Sequence, residues 1–140
     1  MTKYKILAQF VKDISSETKD IQTYLFVKES ISKYQLTIDI TSIPSRNKLI
    51  EVNTILKFED KDQSSNRKKS HFEMVYATII KIDDEVNEKK ELEKIIICDV
   101  QKKIYENIEK AFSNLLNDSG FKGVSFKKVD FDKLYNERSN

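Results

Sequence analysis

Apolar side chains recur at every second position through four stretches of this chain and at every third or fourth position through a fifth, so the chain divides into a strand-forming part and a helix-forming part. Tyr4, Ile6, Ala8 and Phe10 alternate with Lys5 and Gln9, which predicts a first strand over 4–11 with those four residues on one face. Residues 12–33 lose the alternation, become polar and Ser-rich, and carry Tyr24-Leu25-Phe26-Val27 in their middle. They predict a long connection with an apolar patch, either a pinned crossover or part of a binding surface. Tyr34, Leu36, Ile38 and Ile40 then oppose Gln35, Thr37, Asp39 and Thr41 in a second strand. After a turn at Pro44-Ser45-Arg46-Asn47, residues 49–59 set Ile50, Val52, Leu56 and Phe58 against Glu51, Asn53, Lys57 and Glu59. A solvated loop over 59–70 leads to a fourth strand, 71–82, with Phe72, Met74, Tyr76, Ile80 and Ile82 on one face. Val75, Ala77 and Ile79 make its other face apolar too, so cover on both sides is expected.

Beyond the charged link 83–91 the period changes to about 3.6. Ile97, Val100, Ile104, Ile108, Ala111 and Leu115 form one stripe, broadened by Tyr105, Phe112 and Leu116, and Gly120 is a stop signal after a long helix. An apolar loop, 121–126, precedes a brief last helix that Asp130 is placed to cap. Strands gathered before helices predict an α+β fold: a four-stranded antiparallel sheet packed against a long helix and a short C-terminal helix, in one domain spanning 1–140.

Composition narrows the chemistry. Two Gly and one Pro in 140 residues leave little material for a phosphate loop, a nucleophile elbow or a metal loop. His71 is the one histidine and opens a strand, while Cys98 lies in an apolar helical run; both read as structural residues, so no catalytic residue, cofactor or metal is expected. The acidic clusters at Glu59-Asp60 with Asp62 and at Asp83-Asp84-Glu85 lack the pattern of a calcium loop and read as solvated turns. Arg67-Lys68-Lys69 and Lys122 with Lys127-Lys128 are small basic patches, the second interleaved with Phe121 and Phe126. A net charge of +2 gives the whole chain no strong field for nucleic acid, which is not expected as a partner. No segment approaches the roughly 20 apolar residues of a membrane span, the N-terminus lacks a signal core, and one cysteine permits no internal disulfide; a cytoplasmic location without membrane insertion is expected. What stands out is apolar surface outside the regular elements: Tyr24, Leu25, Phe26, Phe121, Val124, Phe126, Phe131, Leu134 and Tyr135. They either fasten loops to the core or line a groove for extended apolar segments.

Two motifs at opposite ends of this layout carry a resemblance. Phe10-Val11-Lys12-Asp13-Ile14-Ser15 is similar to the end of the first strand in SecB, the cytosolic export chaperone, and Val129-Asp130-Phe131-Asp132-Lys133-Leu134-Tyr135 is similar to its terminal motif. The resemblance implies a dimer of dimers, and an ATP-independent holdase for unfolded or partly folded polypeptides, among them preproteins. It implies a client groove of Leu36, Ile38 and Ile40 flanked by Tyr24, Leu25, Phe26, Phe121, Val124 and Phe126. Ile104, Ile108, Ala111 and Phe112 are implied as core or subunit contacts, and Asp13 and Glu17, just after strand one, as contacts to the motor SecA. The chain departs from the family in strand four, which lacks the family's glycines, and in a pI near 8.5 where the family is acidic. A dedicated chaperone of one client, such as an antitoxin, is a variant of the same expectation. A carrier of small apolar ligands and a purely structural assembly protein are the rival classes.

Overall fold

The alternating stretches between residues 34 and 82 become three neighbouring strands because one face of each has a core to meet. β2 (Gln35–Pro44) pairs with β3 (Leu49–Glu59), and β3 with β4 (His71–Ile82), all antiparallel. Ile40, Ile50, Val52, Leu56, Phe58, Phe72, Met74, Tyr76, Ile80 and Ile82 are buried on the shared inner face. The β2–β3 turn is made at Asn47 and Lys48, both at positive φ, and Ser45 N–H closes it on the Leu49 carbonyl at 2.8 Å. The computed structural model describes residues 3–62 and 68–139; part of the expected loop over 59–70, including Arg67 of the first basic patch, lies outside the described residues.

β1 corrects the sequence expectation in two ways. It runs over Tyr4–Glu17, well past Val11, and completes the order β1-β4-β3-β2, so that β1 and β2 are the sheet's edges. It also carries two bulges, between Ile6 and Ala8 and between Val11 and Asp13. Each bulge sets two residues against one and inverts the alternation that follows. Tyr4 and Ile6 therefore face inward opposite Ile82 and Ile80, whereas Phe10 faces outward opposite Ala77. Gln9, expected on the wet face, turns inward and accepts the Tyr76 hydroxyl at 3.2 Å. On the outer sheet face Ala77 is fully buried and Val75 and Ile79 are half-buried, so β4 is covered in part on both sides.

Residues 12–33 are no loop. Beyond β1 lies α1 (Ile21–Ser30), extended by a 3-10 turn over Ile31–Lys33. Asp20 caps it, accepting Thr23 N–H at 2.8 Å and the Thr23 hydroxyl at 2.6 Å. The long helix begins earlier than the stripe suggested: α2 (Lys89–Lys94) passes through a π turn, Ile95–Asp99, into α3 (Val100–Asp118). The wide turn lets four consecutive residues, Ile95, Ile96, Ile97 and Cys98, all be buried, which a regular helix packed on one side would not allow. Buried Gln101 answers the turn's disturbed ladder: its amide donates to the Ile96 carbonyl at 3.5 Å, and its oxygen accepts the Thr54 hydroxyl at 3.0 Å. From Val100 the inward stripe is Ile104, Ile108, Phe112 and Leu116, each worth about 1.5–3 kcal/mol of burial.

α3 closes on paired bonds, Gly120 N–H to the Asn117 carbonyl at 3.1 Å and Phe121 N–H to the Leu116 carbonyl at 2.9 Å. Gly120 holds φ +96°, and the chain then runs over residues 121–130 to α4 (Phe131–Ser139). Asp130 caps α4 as expected, accepting Lys133 N–H at 3.1 Å. Among the described residues no helix is long and apolar enough to cross a membrane.

Candidate functional site

An open cavity of about 790 Å³ lies between β2 and the segment that follows α3. One wall is Tyr34, Leu36 and Ile38 with Ile31 above them; the other is residues 122–129, closed at one end by Leu134 of α4. Its base is aromatic. The Phe58 ring stands 5.3 Å from Tyr34 and 5.4 Å from Phe126, whose ring in turn lies 5.8 Å from Phe112. Such edge and tilted contacts fix the base as a rigid apolar surface. Burial pushes the Tyr34 hydroxyl up to about 12, so it stays a proton donor, held on the Ser70 carbonyl at 2.8 Å. The charged residues of the lining are Lys122, Lys127 and Lys128; no carboxylate lines it.

Of the nine residues expected to make a groove, Leu36, Ile38, Val124 and Phe126 line this cavity. The other five are placed elsewhere. Ile40 is buried further along β2, beside a smaller cavity of about 390 Å³ that it shares with Ile96, Ile97 and Arg138. Phe121 is a core residue, its ring 5.4 Å from Phe72 and 5.1 Å from Tyr24. Tyr24 is half-buried on α1, with its hydroxyl on the Gly120 carbonyl at 2.8 Å. Phe26 borders a separate hollow of about 350 Å³ with Asp20, Thr23 and Lys68, and Leu25 is 54% exposed. Leu134, one of the apolar residues set apart as able to line a groove, also lines it, together with Ile31, Phe58 and Val129, which the sequence did not single out for the groove. Phe58 had the needed signal, an apolar residue beside a predicted wall, but read as plain core.

β2 is an edge strand, and one residue on it is closed. Ile40 N–H is accepted by the Asp39 carboxylate at 3.0 Å, and its carbonyl accepts the Arg138 guanidinium of α4 at 2.8 Å. Ile40 thus has no backbone group left for an added strand, whereas the groove lies beside residues 34–38 of the same edge.

The other edge is longer and more apolar. β1 leaves Leu7, Phe10, Val11 and Ile14 between 42% and 49% exposed. Asp13 and Glu17 lie within this strand, not after it. They pair with Val75 and His71 and so sit on the sheet face away from α3; both are exposed, and Asp13 accepts Ile14 N–H at 3.0 Å. On α3, Ile104, Ile108 and Phe112, expected as core or subunit contacts, are at most 1% exposed and lie in the chain's own core. Ala111 is half-buried and is the one of the four that reaches the surface.

Cys98 is not set up as a nucleophile. Cys98 is buried, its thiol donates to Asp132 Oδ1 at 2.9 Å, and burial pushes it above its ordinary value, so it is a protonated donor. The same carboxylate is held by Lys102 at 2.9 Å, and the Cys98 and Lys102 hydrogen bonds draw Asp132 below the usual carboxylate range. His71 is exposed at the start of β4, and among the described residues no three His, Cys, Asp or Glu side chains gather as metal ligands would.

Comparison with known proteins agrees with this architecture. A protein of Pelagibacter ubique (strain HTCC1062), provisionally named protein-export protein SecB, is 55% identical over 138 residues, covering 98% of this chain and 97% of the relative. The Mycobacterium tuberculosis SecB-like chaperone Rv1957, solved in complex with a ChAD peptide from the Rv1956 HigA1 antitoxin, has the same fold: the TM-score is 0.64 at 10% identity, covering 91% of this chain and 88% of that one. The family described as Preprotein translocase subunit SecB matches residues 1–140. With its sheet order, its long helix and a relative of this closeness, the chain belongs to the SecB family of chaperones.

Proposed function

We propose that this protein is a cytoplasmic, ATP-independent holdase that keeps preproteins for export unfolded by binding their apolar segments, and that it has no catalytic activity. The observation that carries the reading is the open 790 Å³ groove with an aromatic base beside an edge strand. An extended segment laid there would place alternate side chains on Tyr34, Leu36, Ile38 and Phe126, and would gain backbone hydrogen bonds that ignore its sequence. Burial at about 25 cal/mol per Å² of apolar surface, offset by ordering the client, gives weak reversible capture of each segment. Close kinship to an export protein supports preproteins as clients. In the same reading, two copies pair through their exposed β1 edges and pairs associate through α3, as a dimer of dimers, and the Asp13 and Glu17 face of the sheet meets SecA. The second reading, a dedicated chaperone of one client, is favoured by the structural neighbour, whose bound peptide comes from an antitoxin.

The test is aggregation suppression. A chemically unfolded, slowly folding protein is diluted into buffer with this chain, without nucleotide, and light scattering is followed for the wild type and for a Leu36→Asp, Ile38→Asp variant shown to be folded by circular dichroism. Suppression by the wild type and its loss in the folded variant are expected. No suppression at several-fold excess would overturn general holding and leave the dedicated-client reading.

A further inference from the structure

The charge of the groove rim says what kind of segment the groove accepts. Lys122, Lys127 and Lys128 are exposed along one wall, and none is engaged in an ion pair or hydrogen bond within the described residues. Of the carboxylates near the other wall, Asp60 and Glu59 act on the Tyr34 hydroxyl, and Asp39, which follows Ile38, is bonded to Ile40 N–H at 3.0 Å. Asp60 is already matched by Lys69 at 3.5 Å, and Asp130, at the far end of the segment, is used as the cap of α4. Three unmatched cations therefore edge an aromatic base, in a chain whose overall charge is only +2. The positive field is local to the groove, and a low-dielectric base sharpens it.

We propose that the groove selects extended segments in which apolar residues alternate with carboxylates. The proposal rests on the groove being the client site. In a strand, successive side chains point to opposite sides, so apolar residues can enter the base while the intervening Asp or Glu side chains meet the lysine rim. The segment is short. It runs beside Tyr34 to Asp39 and ends at Ile40, whose N–H and carbonyl are both occupied, which gives a length of about 20 Å or six residues.

The experiment uses the full chain and three fluorescent peptides with the same apolar residues at alternate positions, spaced by Glu, by Ser or by Lys, with binding read by anisotropy. Two or three exposed ion pairs, each a factor of about two to five, make the Glu-spaced peptide bind about tenfold more tightly than the Ser-spaced one. The Lys-spaced peptide binds most weakly, and the differences collapse in about 1 M salt, where the screening length is about 3 Å. The triple variant Lys122→Glu, Lys127→Glu, Lys128→Glu reverses the order of the Glu-spaced and Lys-spaced peptides; the salt series on the wild type tests the same point without any variant. Equal binding of all three peptides overturns the charge selection and leaves the groove standing. An unreversed order in the folded triple variant also overturns it, since the preference would then arise elsewhere. If none of the three binds, the groove reading falls and the selection with it.

Discussion

Substituting Gly120 by Ala tests whether the close approach of α1 to the end of α3 holds the two together. A Cβ at Gly120 would lie 2.8 Å from Tyr24 Cε1 and 3.2 Å from its hydroxyl oxygen, against ordinary contacts of about 3.5–4.0 Å. The ring has little room to retreat, because its hydroxyl is bonded to the Gly120 carbonyl and its face packs on Phe121 at 5.1 Å. Three costs add. Alanine at φ +96° costs roughly 1–2 kcal/mol, loss of the tyrosine hydrogen bond about 1 kcal/mol, and displacement of the ring from Phe121 about 0.5–1 kcal/mol. Reduced freedom of the unfolded chain returns about 0.4–1 kcal/mol. The expected loss is about 2–3 kcal/mol, read as a lower urea midpoint at unchanged slope. Gly123 supplies the control: it has φ +76°, and an added methyl there would meet nothing within 4 Å, so Gly123→Ala bears the backbone cost alone, about 1 kcal/mol or less after the same return. Tyr24→Phe isolates the hydrogen bond. If Gly120→Ala costs no more than Gly123→Ala, the contact with Tyr24 is not what demands glycine, and the account of how α1 is anchored fails.

Three other outcomes follow from the geometry. Arg138→Ala frees the Ile40 carbonyl at a stability cost of about 1 kcal/mol or less, and peptides long enough to pass Ile40 should gain affinity while six-residue ones do not; equal gains for both lengths would sink the idea of a closed edge. Asp20 is held below its ordinary value, chiefly by the Thr23 hydroxyl and then by its N–H, so its contribution to stability is present above about pH 4 and is lost as pH falls through the depressed value. Asp20→Asn, which still caps, should show a smaller drop in urea midpoint between pH 6 and pH 3 than the wild type; an unchanged drop would exclude Asp20 as a source of acid sensitivity. Thr54→Val leaves the buried Gln101 oxygen without its donor and should cost about 1–3 kcal/mol by chemical denaturation, whereas adding Gln101→Leu should restore part of that loss; a double variant worse than the single one would contradict this.

The sequence made the inner sheet legible because β2, β3 and β4 each bury one face, and the alternation of Tyr34 to Ile40, Ile50 to Phe58 and Phe72 to Ile82 records it. Gly120 and Asp130 were readable as a stop and a cap because each performs one local task that few residues can perform. α1 left no such record. It buries only Thr23 and Val27, so it has no stripe to display, and its Ile21, Thr23 and Val27 are weak helix formers. The second half of β1 was hidden for the opposite reason: Ser15, Ser16 and Glu17 are held by pairing with β4, and backbone pairing is silent in a hydrophobicity pattern. The groove was half visible. Its β2 wall and Phe126 followed from periodicity and from apolar residues in a loop, but whether Phe121, Tyr24 or Phe26 faced the groove or the core depended on the path of residues 120–130, which no local signal specifies.

The two bulges of β1 have a consequence for how such a strand can change over time. Leu7 and Lys12 act as two frame shifts in the same direction: the first throws the alternation out of phase, and the second, by making the total shift two residues, restores it, so Tyr4, Ile6, Ile14 and Ser16 face the same side as the odd-numbered Gln9 and Val11 between them. The restored phase is what lets the Ser16 hydroxyl meet that of Ser119 at 2.7 Å across the end of α3. Losing one of the two residues alone would strand everything downstream on the wrong side. Length changes in this strand are therefore tolerable in pairs, and a lineage that drops one bulge must soon drop, or relocate, the other.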